Sequence, residues 1–239
     1  MIKAAGLADK DTVLEIGPGK GALTKELLRS GAKVVAVEKD KELLPVLQEK
    51  FHAEIESAKL NLIVKDIREI DDKTLRDLGN YKLIANIPYY ITGELLRRFL
   101  ETDFKPERII LLVQKEVADR IVSQKESILS LSIKCFGHTE KIFNVSKSCF
   151  APQPKVDSAI IKIDIKKQKF NKEEVSRFFG FIKLAFSQKR KKLINNLKRE
   201  FDETVLKNCF AKLDIDVNFR PEDLNIDKYM QLINCLSND

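Results

Sequence analysis

The chain has 239 residues, 44% of them apolar and 33% charged, with a formal net charge of +7. That content supports a buried core, in one large domain or in a domain with a smaller appendage. It excludes a low-complexity chain, no apolar run approaches a membrane span, and no signal-peptide pattern is present, so a cytoplasmic, globular protein is expected.

The charge is uneven. Residues 165–200 carry twelve Lys/Arg against three Asp/Glu, whereas residues 1–164 come to +2 and residues 201–239 to −4. Such a stretch is either a solvated helix face or a site for a polyanion, whose phosphates supply sequence-independent affinity when neutralised. Cys135, Cys149, Cys209 and Cys235 form no C-x-x-C pair, and His52 and His138 are the only imidazoles. No metal site is expected, and the scattered thiols read as reduced, cytosolic cysteines.

In chain order, Thr12–Ile16 reads as a short apolar strand that runs into the turn Gly17-Pro18-Gly19-Lys20-Gly21. Ala22–Arg29 follows as a helix, Lys33–Val37 as a strand and Lys41–Phe51 as a helix. Leu60–Val64 and Lys82–Ile87 are further strands, with the helix Gly93–Leu100 between the latter and the strand Arg108–Val113. Short continuous apolar runs separated by helices imply a parallel sheet covered on both faces. Lys115–Val122 and Ile128–Phe136 look helical, and Glu140–Val145 and Val156–Ile165 look like two late strands, a candidate hairpin at the sheet edge. A polar, lysine-rich link at Lys166–Asn171 then separates an α/β domain, residues 1–166, from an all-helical one, residues 171–239. The helical signals of the latter are Glu173–Phe186, Lys189–Glu200, Glu203–Lys212 and Glu222–Leu236.

Gly17, Gly19 and Gly21 close the first strand and open a helix, where residues without side chains let the backbone approach a ligand. Alone the pattern also fits a tight structural turn. Glu38 ends the next strand, 17 residues after Gly21, and there it is either an acceptor for both ribose hydroxyls or a solvated acid. Asp66 follows the third strand; its carboxylate can accept from an adenine amino group while the Ile67 N–H donates to a ring nitrogen. Glu15, one residue inside the same edge, suits a cationic cofactor better than a pyrophosphate. It favours S-adenosylmethionine over a nicotinamide dinucleotide.

Asn86-Ile87-Pro88-Tyr89 ends the fourth strand. An exocyclic adenine amine is a weak nucleophile because its lone pair is delocalised into the ring. Two acceptors on its hydrogens, the Asn86 side-chain oxygen and the Ile87 carbonyl, would orient that lone pair toward a methyl donor. Pro88 stiffens the turn and Tyr89 offers a ring face for stacking; the competing account is a proline loop with an Asn cap and a core Tyr.

On these motifs the chain resembles the small-subunit ribosomal RNA adenine-N6,N6-dimethyltransferase family (KsgA-like), and more broadly the group shared with the Erm large-subunit enzymes. The resemblance extends to Phe150-Ala151-Pro152-Gln153-Pro154-Lys155-Val156-Asp157-Ser158, which is similar to the group's F-x-P-x-P-x-V-x-S segment. Ala185-Phe186-Ser187-Gln188-Lys189-Arg190-Lys191-Lys192 with Asn195-Asn196-Leu197, and Arg220-Pro221-Glu222-Asp223-Leu224, resemble stretches of the KsgA-like branch in particular.

The resemblance implies a Rossmann-like class I S-adenosylmethionine-dependent methyltransferase sheet with a small all-helical C-terminal domain. It implies transfer of methyl groups to two adjacent adenosines in a hairpin near the 3′ end of small-subunit rRNA, within a ribosomal assembly particle. Phe150 and Tyr89 would sandwich the flipped base, and Lys155, Lys189, Arg190, Lys191 and Lys192 would hold RNA phosphates. A monomer without metal is expected. The alternatives are an Erm-like enzyme and a non-catalytic assembly factor that keeps the fold; a nicotinamide-dependent enzyme is more distant. Two departures stand out. Met1 falls within the helix that follows the family's basic arm and Q-x-F-L segment, so weaker cofactor binding and reduced activity are expected. Lys125–Ser132 lacks the arginine of the family's Tyr-Gly-Arg-Leu-Ser-like stretch.

Overall fold

The structure, a computed structural model, describes residues 1–86, 91–166 and 171–237. It divides into two compact units. The first takes Met1–Ala118 and Gly137–Lys166; the second takes Asp119–Phe136 and the described residues from 171 onward.

In the first unit, helix α1 (Ile2–Ala5) precedes β1 (Thr12–Ile16), α2 (Ala22–Arg29) and β2 (Lys33–Glu38). Helices α3 (Leu44–Lys50) and α4 (His52–Glu56) lead to β3 (Leu60–Val64). Then come α5 (Asp72–Asp77), β4 (Tyr81–Asn86), α6 (Thr92–Glu101) and β5 (Arg108–Gln114). Helix α7 (Lys115–Val122) begins in this unit and ends in the second, which continues with α8 (Ile128–Phe136). The chain then returns to the sheet as β6 (Gly137–Val145) and β7 (Ser158–Ile165).

The strand order is β3-β2-β1-β4-β5-β7-β6. The first five are parallel, and β7 joins β5 antiparallel to form the edge hairpin with β6. Strands β1, β2 and β5 are buried along nearly their whole length, as expected where helices cover both faces. The order reverses at β1, which has β2 on one side and β4 on the other. In open α/β sheets such a switch point opens a crevice at the carboxyl ends of the strands. Ile16 pairs with Ala85 across it, so Gly17 and Asn86 leave the sheet side by side.

In the second unit, α8 packs against α9 (Lys172–Ala185) and α12 (Ile226–Ser237), α10 (Leu193–Leu197) against α9 and α11 (Glu203–Lys212), and α11 against α12. Asn171 and Glu174 form a reciprocal capping box that fixes the start of α9. Tyr229 is fully buried and donates its hydroxyl to the Pro221 carbonyl at 2.7 Å.

The structure corrects four expectations. Residues 119–136, expected in the α/β domain, pack with the helical unit. Phe136 stacks on Phe179 at 6.1 Å, and the Glu126 N–H donates to the Glu222 carbonyl at 2.7 Å. The expected helix Lys41–Phe51 is a 3-10 turn capped by Asp40, followed by α3 with its proline in the first turn, and a break at Phe51. Proline lacks the N–H that a continuous helix needs. The expected helix Lys189–Glu200 is a turn through Lys191 followed only by α10. Finally, Cys209 and Cys235 are not reduced thiols but form a disulfide. Neighbouring helices α11 and α12 bring their Cα atoms to 6.1 Å, within bridging distance, although 26 residues separate them.

Candidate functional site

The glycine turn is set by backbone geometry. Gly19 has φ +57° with open space where a side chain would begin, as a ligand-facing backbone requires. Gly21 has φ +75°, and a Cβ there would stand 2.3 Å from Cε2 of the buried Phe51 ring. Lys50 donates to the Lys20 carbonyl at 2.7 Å and ties α3 to the turn from the same side.

Beside the turn lies a cavity of about 240 Å³ at the carboxyl edge of β1, β2, β3 and β4. It brings together Gly17, Gly19, Glu38, Asp66, Ile67 and Asn86. These residues are far apart in sequence, and the parallel strands end at one edge because each crossover returns the chain to the opposite edge. Ile16, Val37 and Ile91 supply apolar wall, and Lys39, Lys65 and Arg68 complete the rim. No sequence motif marks Lys39, Lys65, Arg68 or Ile91 as part of a site. Their one signal is adjacency to a strand-end acid or to the Asn86–Tyr89 sequence motif.

Glu38 is nearly buried and firmly placed. One carboxylate oxygen accepts from the Gly19 N–H at 3.2 Å and the other from the Asp40 N–H at 2.9 Å. A carboxylate has about four lone-pair positions, so acceptor capacity for a ribose diol remains. The solvated-acid account does not fit that placement. Asp66 is different. Its oxygens accept from the Arg68 N–H and Nε, both at 3.0 Å, and from Nη2 at 2.6 Å. These hydrogen bonds hold its carboxyl low, at about 2. Ile67 opens the following 3-10 turn, so its N–H is one of the donors that a helix start leaves without an intrahelical partner.

Glu15 is fully buried on β1, one residue before the cavity wall. Neither of its carboxylate oxygens has a hydrogen-bond partner among the described residues, and neither has the nearby Thr24 hydroxyl. Burial pushes its carboxyl up to about 7; the hydroxyl and N–H of Thr24, close by but outside hydrogen-bonding geometry, oppose the rise, and the Glu38 charge adds to it. A carboxyl held up by burial keeps its proton until a cation comes near, and the cavity lies one residue away.

Asn86 is exposed at the end of β4 and lines the cavity. Ile87, Pro88 and Tyr89 lie outside the described residues. Phe150 is half-buried and packs against the apolar cluster that includes Leu112 and Ile160, and Leu112 is the register partner of Asn86. Phe150 lies on the connection from Val145 of β6 to Ser158 of β7, and Ser158 pairs with Gln114 at the carboxyl end of β5, so the Phe150 segment and the Asn86 strand end belong to the same end of the sheet.

Lys155 is exposed in the first unit, and Lys189, Arg190, Lys191 and Lys192 are exposed in the second. The latter four lie on the turn between α9 and α10. That turn is pinned from inside by the buried Asn196, whose amide donates to the Ala185 carbonyl at 2.6 Å and the Gln188 carbonyl at 3.1 Å. Lys192 donates to Asn218 at 2.6 Å; among the described residues Lys189, Arg190 and Lys191 have no ion-pair partner. Among those residues, too, no helix is long and apolar enough to cross a membrane, and no group of three or more His, Cys, Asp or Glu could hold a metal ion.

The chain has clear relatives among known proteins. The chain matches the ribosomal RNA adenine dimethylase family over residues 1–238. It is 37% identical over 225 residues to ribosomal RNA small subunit methyltransferase A of Mycoplasma mobile, covering 92% of this chain and 85% of that protein. A dimethyladenosine transferase from Plasmodium falciparum superposes with a TM-score of 0.82 at 26% identity, over 97% of this chain and 91% of that one. The 23S rRNA methyltransferase ErmE gives a TM-score of 0.80 at 22% identity, over 98% of this chain and 94% of that one, and so shares the fold.

Proposed function

The chain belongs to the ribosomal RNA adenine dimethylase family, and from that premise we propose how its residues divide the work of S-adenosylmethionine-dependent N6,N6-dimethylation of two adjacent adenosines near the 3′ end of small-subunit rRNA. The cavity at the strand switch point holds the cofactor. Glu38 accepts from the ribose hydroxyls, Asp66 from the adenine amine, and the Ile67 N–H donates to the ring. Gly17 and Gly19 let the backbone come close, Gly21 seats the turn against Phe51 and so acts on the site only through the turn's position, and Glu15 supplies the negative charge that the cofactor's cationic groups require.

When bound, S-adenosylmethionine supplies a methyl group activated by its sulfonium. The remaining tasks fall to the protein. The Asn86 side-chain oxygen and the Ile87 carbonyl accept the two hydrogens of the target amine and aim its lone pair. Pro88 holds that turn, and Tyr89 and Phe150 stack on the two faces of a base drawn out of its loop, at a cost of about a few kcal/mol. No strong base is required, because the amine becomes acidic only once it has been alkylated, and its proton then passes to water. Lys155, Lys189, Arg190, Lys191 and Lys192 contact RNA phosphates of an assembling small subunit, and the protein works as a cytoplasmic monomer.

The observation that carries this reading is the convergence of the glycine turn, Glu38, Asp66 and Asn86 on one cavity. The test is transfer of labelled methyl from S-adenosylmethionine to undermethylated small ribosomal subunits, with large subunits as the control. We expect label on small-subunit adenosines and a loss of about 10²- to 10³-fold in rate for Asn86→Ala. Label on large subunits instead would assign the chain to Erm-like chemistry. Particle binding without label, unchanged in Asn86→Ala, would make it an assembly factor.

A further inference from the structure

We propose that Arg68 competes with the cofactor for its own adenine subsite: the guanidinium occupies the Asp66 carboxylate when the subsite is empty and must leave before an adenine amine can bind there. The inference rests on the reading above that Asp66 receives that amine.

Three hydrogen bonds from Arg68 reach Asp66, one from its backbone N–H and two from the side chain. The backbone bond caps the 3-10 turn that Asp66 begins, and it does not obstruct the cavity. The two side-chain bonds do. They form a fork, Nε to one oxygen and Nη2 to the other, so both carboxylate oxygens are engaged at once. With about four lone-pair positions on a carboxylate and three of them taken, little directional acceptor capacity is left for an amine. Both side chains line the same cavity, so the fork stands where the ligand must be received.

The geometry also provides for release. The Arg68 side chain is 53% exposed, against 19% for Asp66, so solvent stands ready to take up the guanidinium. Arg68 lines a second hollow of about 230 Å³ as well, which shares Ile67 and Ile91 with the first and carries Glu94 of α6 on its wall. That hollow also carries Arg97 and Arg98, which are paired with Glu101 and Asp72, so Glu94 is the carboxylate there that a displaced guanidinium would meet. Because the pair is only two residues apart and screened by water, it is weak enough to open, and its effect is to set the affinity rather than to block the site.

The test is calorimetric titration of the full chain with S-adenosylhomocysteine, which reads binding without turnover. Arg68→Gln keeps much of the length and polarity of the side chain but cannot form the charged fork. It should tighten binding by about two- to fivefold, the range that an exposed ion pair can supply. Raising the salt from about 0.05 M to about 0.5 M should tighten binding to the parent chain relative to Arg68→Gln, because screening weakens the fork. Unchanged or weaker binding by Arg68→Gln would overturn the proposal, the latter by making Arg68 part of the ligand's own contacts. Asp66→Ala is read in the Arg68→Gln background, where no guanidinium competes, and there it should weaken binding. If it does so while Arg68→Gln alone has no effect, the competition is wrong and the Asp66 subsite stands. If it changes nothing in that background, the Asp66 subsite itself is wrong, and the competition falls with it.

Discussion

The two regions proposed above to take charged ligands are built on opposite principles. At the carboxyl edge of the sheet a single carboxylate, Glu15, is fully buried and has no hydrogen-bond partner among the described residues. On the turn between α9 and α10, Lys189, Arg190 and Lys191 are exposed to water. The first arrangement concentrates affinity in one costly charge, held where water cannot screen it. The second spreads affinity over several well-solvated ones. A small cofactor can touch only a few groups, so each must be strong; a nucleic acid presents a phosphate at every step, so many weak contacts suffice.

The largest test of this contrast is Glu15→Gln. Burial raises the Glu15 carboxyl from its ordinary 4.5 to about 7. Between those values the folded chain holds a proton that the unfolded chain has released. Folding stability therefore falls as pH rises from 4.5 to about 7, and by about pH 8 the loss is about 3 kcal/mol. Glutamine carries no charge to desolvate. The variant should be more stable than the parent at about pH 8 by up to about 3 kcal/mol, less the cost of an unmet buried amide, and the difference should vanish near about pH 4. Urea midpoints at the two pH values measure this. If Glu15 faces the ligand's ammonium group as proposed, binding of S-adenosylhomocysteine should weaken in the same variant. A variant less stable at the higher pH would show that Glu15 is satisfied in place and is not held in reserve for a ligand.

Gly21→Ala probes the same region through packing. Its φ of +75° strains any side chain, and the new Cβ would lie 2.3 Å from Phe51 Cε2, with Leu47 Cδ2 only 3.1 Å away. Neither neighbour is a flexible chain end. Overpacking of this kind costs about 1–3 kcal/mol and should shift the turn, so thermal stability and S-adenosylhomocysteine affinity should fall together. Phe51→Leu added to Gly21→Ala should recover part of both losses. No recovery would place the whole effect in backbone strain.

The two regions are also unequally legible in the sequence. The sheet edge is readable because its information is local: continuous apolar runs such as Ile109–Val113 announce strands buried on both faces, and glycines or acids at their ends mark the ligand side. What stays hidden there is what arises only on folding. Arg68 is an ordinary surface arginine in sequence, and only the turn after Asp66 folds its fork back onto the carboxylate. The orphan state of Glu15 likewise depends on its neighbours in space. The helical unit is less readable throughout. Lys189–Glu200 has helical composition, yet the buried amide of Asn196 takes the carbonyls of Ala185 and Gln188 and holds the preceding residues as a turn. Residues 119–136 carry no local mark of the unit they pack in, since stacking of Phe136 on Phe179 is a tertiary fact. The Cys209–Cys235 bridge depends in the same way on how α11 and α12 align.

The smallest expected effect per residue belongs to the exposed turn, and it discriminates between the two principles most cleanly. In the triple variant Lys189→Gln, Arg190→Gln and Lys191→Gln, no described ion pair is broken, so thermal stability should stay within about 0.5 kcal/mol of the parent. Binding of S-adenosylhomocysteine should not change, because the cavity proposed for it is lined by residues of the other unit. Affinity for small-subunit rRNA should fall, and the slope of log affinity against log salt should become shallower by about 0.7 to 0.9 for each phosphate no longer neutralised. The three single variants should each take about a third of that change, since well-solvated charges act almost independently. A single residue carrying the whole effect would mean that this turn, like Glu15, works through one specific interaction, and the contrast between the two regions would fail. An unchanged salt slope would mean that the turn is a solvated surface and that RNA is held elsewhere.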